Sequence, residues 1–167
     1  MDTRPTKGVL GLAEPGATDP ATSGSKAAAL AAMAARGLPV PPGFVVTTAA
    51  CERILATVDE AAEDLTGAEF PGDVWAGIVS GLHELGGGAV AVRSSATAED
   101  LADASYAGQY ETVLGVTCPD EVARAMRRCL ASARSARVRA YAGSREGRMA
   151  VLIQRLGPAE AAGVAFT

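Results

Sequence analysis

Apolar and polar residues follow two periods along the chain, and each period predicts its own type of element. Short apolar or alternating runs, typical of strands, occur at 9–12, 44–47, 89–93, 109–116, 149–154 and from 163 onward. Apolar residues at helical spacing predict helices over 24–36, 49–62, 74–85 and 120–141. Because strands alternate with helices and no long linker intervenes, we expect one domain over 1–167 of class α/β (α+β), with a mixed sheet flanked by helices.

Glycine and proline set the boundaries of the first two helices. Gly37 is placed to end the first helix in a left-handed conformation. The run 38–43 contains three prolines, so it predicts a stiff, extended connector rather than a helix or a central strand. Thr22 or Ser23 is the candidate cap of the first helix, and Thr48 that of the second.

Charge and composition exclude several classes of protein. The formal net charge of −4 argues against a general nucleic-acid binder. Eight arginines nevertheless lie between 121 and 148, so an arginine-rich helix that binds nucleic acid remains the last-ranked alternative. No apolar run approaches the ~18 residues of a membrane span, so no membrane partner is expected. The cysteines are odd in number and form no CxxC pair, which predicts reduced thiols in a cytoplasmic protein.

The segment Gly24-Ser25-Lys26 is the first candidate for chemistry. Small residues at a helix start leave backbone N–H groups pointing outward, where they favour an anion such as phosphate, and Lys26 adds a positive charge. The spacing is not that of a Walker A loop. A plain helix cap beside a solvated lysine is the alternative.

Arg93 is the second candidate, because it ends the predicted strand 89–93 and leads into the polar run 94–100. A guanidinium at a strand end suits bidentate contact with a phosphate. An ion pair between Arg93 and Glu99 or Asp100 explains the same residues without a ligand.

Three further residues offer weaker signals. Gly108 permits close backbone approach to a ligand, and Thr112 places a hydroxyl on the strand that follows. Gln154 ends an apolar strand before a Gly-Pro break, as at a hinge. A surface turn and a plain core strand are the alternatives. His83 is the only histidine and has no visible partners, so neither a metal site nor a catalytic triad is predicted.

Taken together, these segments resemble a known family. In order along the chain, the matching stretches are 24–30, 37–48, 90–101, 103–109, 150–155 and 163–167. They are similar to the N-terminal part of phosphoenolpyruvate synthases, pyruvate phosphate dikinases and rifampicin phosphotransferases. The resemblance implies the first part of an ATP-grasp domain, in a family that moves a phosphoryl group from ATP to a histidine on a separate domain.

The resemblance also implies roles for single residues. Lys26 and Arg93 would hold the ATP phosphates, Gly108 and Thr112 would belong to a loop that covers them, and Gln154 would lie at the adenine-side hinge. The family's Mg²⁺ ligands and its phospho-histidine domain are expected beyond Thr167. Ser25 departs from the family, which usually has a second glycine there.

Three hypotheses follow for the chain as a whole. It is the ATP-binding part of a phosphoenolpyruvate synthase-like dikinase, completed by a second chain or a homo-oligomer. Alternatively, it is a non-catalytic or split ATP-binding module, or a fragment of a drug kinase of the rifampicin phosphotransferase type. In every case the resemblance makes the chain inactive alone, and it leaves the phosphoryl acceptor open.

Overall fold

A computed structural model describes residues 7–59, 64–97, 111–134 and 148–158. The strands are β1 (Val9–Gly11), β2 (Gly43–Val46), β3 (Val90–Ala96), β4 (Thr112–Val116) and β5 (Met149–Arg155). The helices are α1 (Pro20–Ala35), α2 (Thr48–Leu55), α3 (Gly72–Glu84) and α4 (Pro119–Arg134), and a 3-10 turn (Pro15–Thr18) precedes α1.

The strands form one sheet in the order β1-β2-β5-β3-β4. β5 occupies the centre, and six of its seven residues are buried. The predicted class, a sheet flanked by helices, is confirmed, although every described pairing is antiparallel rather than mixed. The predicted strand from 163 onward lies outside the described residues.

Helices cover both faces of the sheet. On one face α1 packs Ala27 and Ala31 against Val45 and Leu152. On the other face α2, α3 and α4 bury a larger cluster against the alternate residues of the same strands, including Val46, Val151 and Ile153. Because side chains alternate along a strand, this arrangement assigns each strand residue to one face. We call the side of the sheet that α1 covers the α1 face.

Two predicted boundaries are wrong, for physical reasons that lie outside the local pattern. β3 continues through Ser94 and Ser95, which were expected in a loop, because both hydroxyls find backbone partners inside the protein. α2 stops at Leu55 rather than 62, and its cap is Thr47, whose hydroxyl accepts from the Ala50 N–H.

The start of α1 also differs from its prediction. Asp19, not Thr22 or Ser23, caps the first turn by accepting from the Ala21 N–H. Gly24 then breaks the helix, with φ of 73° and ψ of 162°. A Cβ at this position would lie 2.0 Å from the Ser95 carbonyl oxygen. Only glycine therefore satisfies both the backbone conformation and the close approach to β3.

Two further expectations agree with the structure. Gly37 follows α1 with φ of 77°, as the left-handed helix end requires. Within the described ranges, no helix has the length and apolar character needed to cross a membrane.

Replacing Gly24 with alanine should destabilise the fold far more than the same change at Gly37. Both glycines have positive φ, so both substitutions carry a backbone penalty of roughly 1–3 kcal/mol. Gly37 has no neighbouring atom within 4 Å of its missing Cβ, whereas Gly24 meets β3 backbone. We expect Gly24→Ala to lower the free energy of unfolding by about 3 kcal/mol or more in urea titrations. Equal losses for the two variants would contradict this packing.

Candidate functional site

Four of the five predicted site residues lie on the α1 face of the molecule. Arg93 pairs with Thr112 of β4 and with Leu152 of β5, and paired residues in an antiparallel sheet point to the same side. Gln154 lies two residues beyond Leu152, so it shares that side. Lys26 belongs to the helix that covers this face. The fifth residue, Gly108, lies outside the described part of the chain.

The Lys26 ammonium is held against β3. Its Nζ donates to the Ser94 carbonyl oxygen over 2.8 Å. The Ser94 N–H points to the same edge of β3, where it donates to the Glu111 carbonyl. The ammonium therefore lies where β4 begins to pair with β3, one residue from Arg93 along the strand.

Arg93 lies in the middle of β3 rather than at its end, so that part of the prediction is wrong. Its side chain is half-buried, and Thr112 opposite it is exposed. No carboxylate in the described ranges forms an ion pair with Arg93. The alternative partners Glu99 and Asp100 lie outside those ranges.

Ser95 is a buried residue that sequence reasoning missed. Its hydroxyl accepts from the Ala27 N–H over 3.0 Å and donates to the Ser23 carbonyl over 2.9 Å. It thus bonds both sides of the break at Gly24. The sequence predicts a loop at Ser94-Ser95, so it misses this role. Only the burial of Ser95 within a strand would have indicated it.

The Gln154 amide is engaged within the protein. Its Nε2 donates to the Pro41 carbonyl over 3.0 Å, and only 6% of the residue is exposed. The next N–H, of Arg155, donates to the Pro42 carbonyl. Gln154 therefore fastens the proline connector to β5, and its place at an adenine-side hinge stays a prediction.

Two apolar side chains on the elements that carry Lys26 and Thr112 are exposed. Met33 follows Lys26 by seven residues on α1, hence on the same side of the helix, and it is 42% exposed. Leu114 follows Thr112 by two residues on β4 and is 63% exposed. The α1 face thus combines positive charge with accessible apolar surface.

On the opposite face of the sheet, α4 buries a cysteine whose pKa is shifted. The Cys129 thiol of α4 donates a hydrogen bond to the Glu111 carbonyl oxygen over 3.5 Å. Burial raises the pKa of Cys129 to about 12, and the negative charge of Glu111 adds to the shift. Burial likewise raises the pKa of Cys51 above its ordinary value.

The described residues contain no group of three or more His, Cys, Asp or Glu that could hold a metal ion. His83 is exposed near the end of α3. Two arginines of α4 make contacts within the protein. Arg127 donates to the Ala68 carbonyl and stacks over Phe70, and Arg128 pairs with Glu111. These contacts give no support to a nucleic-acid interface.

Comparison with protein families identifies the domain. Residues 21–167 match the pyruvate phosphate dikinase AMP/ATP-binding domain. The chain belongs to this family. It is accordingly a nucleotide-binding part of a dikinase-like protein, and its α+β architecture is consistent with the first part of an ATP-grasp domain.

Individual relatives of this dikinase-type domain have several names. A probable phosphoenolpyruvate synthase of Methanothermobacter thermautotrophicus is 34% identical over 92% of this chain and 28% of its own length. A rifampicin phosphotransferase of a Streptomyces species is 37% identical, over 78% of this chain and 19% of its own. The prodigiosin synthesizing transferase PigC of Serratia marcescens is 36% identical, over 89% and 18%. The chain thus spans less than a third of each of these relatives.

Thiol reactivity tests the packing behind β3. At pH 8, Ellman's reagent should modify Cys118, the exposed cysteine, and spare Cys51 and Cys129 until the protein unfolds. The unfolded Cys129 thiol loses its proton near the ordinary pKa of 9.0, whereas the folded one keeps it to about 12. The free energy of unfolding should therefore fall as pH rises from 9 toward 12. Rapid reaction of a second thiol in the folded protein would contradict the burial of these cysteines.

Proposed function

We propose that this dikinase-type domain binds ATP on its α1 face, with Lys26 and Arg93 against the triphosphate. The observation that carries the proposal is the position of the Lys26 ammonium, 2.8 Å from the carbonyl of the residue after Arg93. The Lys26 ammonium thus lies beside the residue that follows Arg93, and the Arg93 side chain projects from the face of the sheet that α1 covers. A triphosphate is a ligand whose charge matches such a pair.

The neighbouring residues suit the remaining parts of the nucleotide. The exposed Thr112, paired with Arg93, offers a hydroxyl to a phosphate oxygen. Gly108, four residues before Thr112 in the chain, is proposed to belong to the loop that covers the phosphates. Met33 and Leu114 present apolar surface for the adenine ring. Gln154 marks the adenine side, where its amide fastens the connector.

The reaction proposed for the whole protein is phosphoryl transfer from ATP through a phospho-histidine carried outside this chain. Such transfer depends on the positioning of the phosphates and on positive charge near them, which Lys26 and Arg93 supply. Mg²⁺ would arrive with the nucleotide, with its protein ligands outside this chain. The family members named above act on different acceptors by name, so pyruvate and a drug such as rifampicin both remain candidate acceptors.

Removal of either cation should weaken ATP binding without unfolding the protein. We expect Lys26→Ala and Arg93→Ala each to raise the Kd for ATP about tenfold or more, since a hydrogen bond to a charged group is lost. Isothermal titration of the full chain, with and without Mg²⁺, measures the affinity. Arg36→Ala is the matched control, because Arg36 is an exposed cation at the other end of α1.

Two outcomes would overturn parts of this proposal separately. A folded wild-type chain that gives no heat with ATP in either titration would remove ATP binding by the chain. Unchanged affinity in both Lys26→Ala and Arg93→Ala would show that ATP binds elsewhere. If Arg36→Ala raises the Kd for ATP as much as Lys26→Ala and Arg93→Ala do, the loss of affinity in all three variants is due to net charge alone.

A further inference from the structure

Helix α1 is made of two segments that meet at an angle. Residues 20–23 form one turn, Gly24 leaves the helical conformation, and the helix resumes at Ser25. The backbone of Gly24, with φ of 73° and ψ of 162°, departs from the helical conformation and changes the direction of the chain between the two segments. Contacts with groups outside α1 therefore help to set the orientation of the second segment relative to the sheet.

The Ser95 hydroxyl makes such a contact with both segments of α1. It donates to the carbonyl of Ser23, the last residue before Gly24, and it accepts from the N–H of Ala27 in the first turn after it. Ser95 is fully buried, so water cannot replace either bond. The backbone of Ser95 also lies against Gly24, so β3 is in close contact with α1 at the break itself.

The surroundings leave little tolerance for losing this hydroxyl. The Ser23 hydroxyl is itself fully buried and has no hydrogen-bond partner among the described residues. Loss of the Ser95 hydroxyl would remove its bonds to the Ala27 N–H and the Ser23 carbonyl at the same place. The second segment would then shift as these two groups take other partners, and the shift would move Lys26, the second residue of that segment.

We propose that Ser95 is a positioning residue for Lys26, in that its hydroxyl fixes the start of the second α1 segment and so the location of the ammonium beside Arg93. The inference rests on the proposed function, because it assumes that Lys26 contacts ATP. Ser95 itself, buried beneath α1, touches no nucleotide. Its contribution to ATP affinity passes through Lys26 alone.

A double-mutant cycle on ATP affinity tests this dependence. Isothermal titration with ATP is carried out on the wild-type full chain, Ser95→Ala, Lys26→Ala and the double variant. Ser95→Ala should raise the Kd for ATP about tenfold, and the same change in the Lys26→Ala background should alter it by less than about twofold. A defect that was merely structural would add in both backgrounds.

Thr48→Val is the matched control for the loss of a buried hydroxyl. Thr48 is 2% exposed, and its hydroxyl donates to the Ala21 carbonyl in the first segment of α1, before the break. Thermal unfolding should show a loss of stability similar to that of Ser95→Ala. The Kd for ATP should stay within about twofold of wild type, because the segment that carries Lys26 keeps its anchor. If Ser95→Ala does not fold, Ser95→Cys, which keeps a weak donor and acceptor, replaces it in the cycle.

The outcomes separate this inference from the proposed function. If Lys26→Ala leaves ATP affinity unchanged, the proposed function fails and takes the role of Ser95 with it. If Lys26→Ala weakens binding while Ser95→Ala does not, or if the two losses add in full, only the role of Ser95 is overturned. An equal loss of affinity in Thr48→Val would also overturn it.

Discussion

The approach of Gly24 to the backbone of Ser95 is the constraint on which the α1 face depends. A single Cβ at Gly24 would lie 2.0 Å from the Ser95 carbonyl oxygen, so any other residue forces the helix away from β3. The contact lets Ala27 and Ala31 pack directly onto the sheet. It also places Lys26 within hydrogen-bonding distance of the Ser94 carbonyl. One glycine thereby links the packing of a layer to the geometry of a charged site.

Because side chains alternate along β3, neighbouring residues of this strand have different roles. Arg93 and Ser95 face α1, where one supplies charge and the other anchors the helix. Ser94 between them turns its hydroxyl to the opposite layer and donates to the Glu111 carbonyl, while its own carbonyl receives Lys26. Two buried serines would normally weaken a core strand, but here each hydroxyl is paired. The polar residues of β3 are thus stabilised by the same contacts that shape the site.

Local sequence patterns predicted the central strand, the first helix and the left-handed glycine at its end, because these depend on neighbours in the chain. They missed the extension of β3, since the partners of the Ser95 hydroxyl lie 68 and 72 residues away. Two adjacent serines whose hydrogen-bond partners are unknown are typical of a loop. The same limit applies to the site. Lys26 and Arg93 were linked through the family resemblance, and no local pattern showed that their segments touch, or that the Gln154 amide is bonded to Pro41.

The chemistry present on the α1 face also bears on how different relatives share one domain. Lysine, arginine and a threonine hydroxyl offer charge and hydrogen bonds to a phosphate chain, and the described residues add no cluster of acids or histidines for a metal. Phosphoryl transfer passes through a loose transition state that demands positioning and charge more than covalent help. In the function proposed above, this face contacts the phosphoryl donor, and recognition of the acceptor belongs to other parts of the protein. Relatives named as a phosphoenolpyruvate synthase, a rifampicin phosphotransferase and a prodigiosin synthesizing transferase match this chain at 34–37% identity. Such similarity among relatives with three different names is what the proposed nucleotide step, separate from acceptor recognition, would produce.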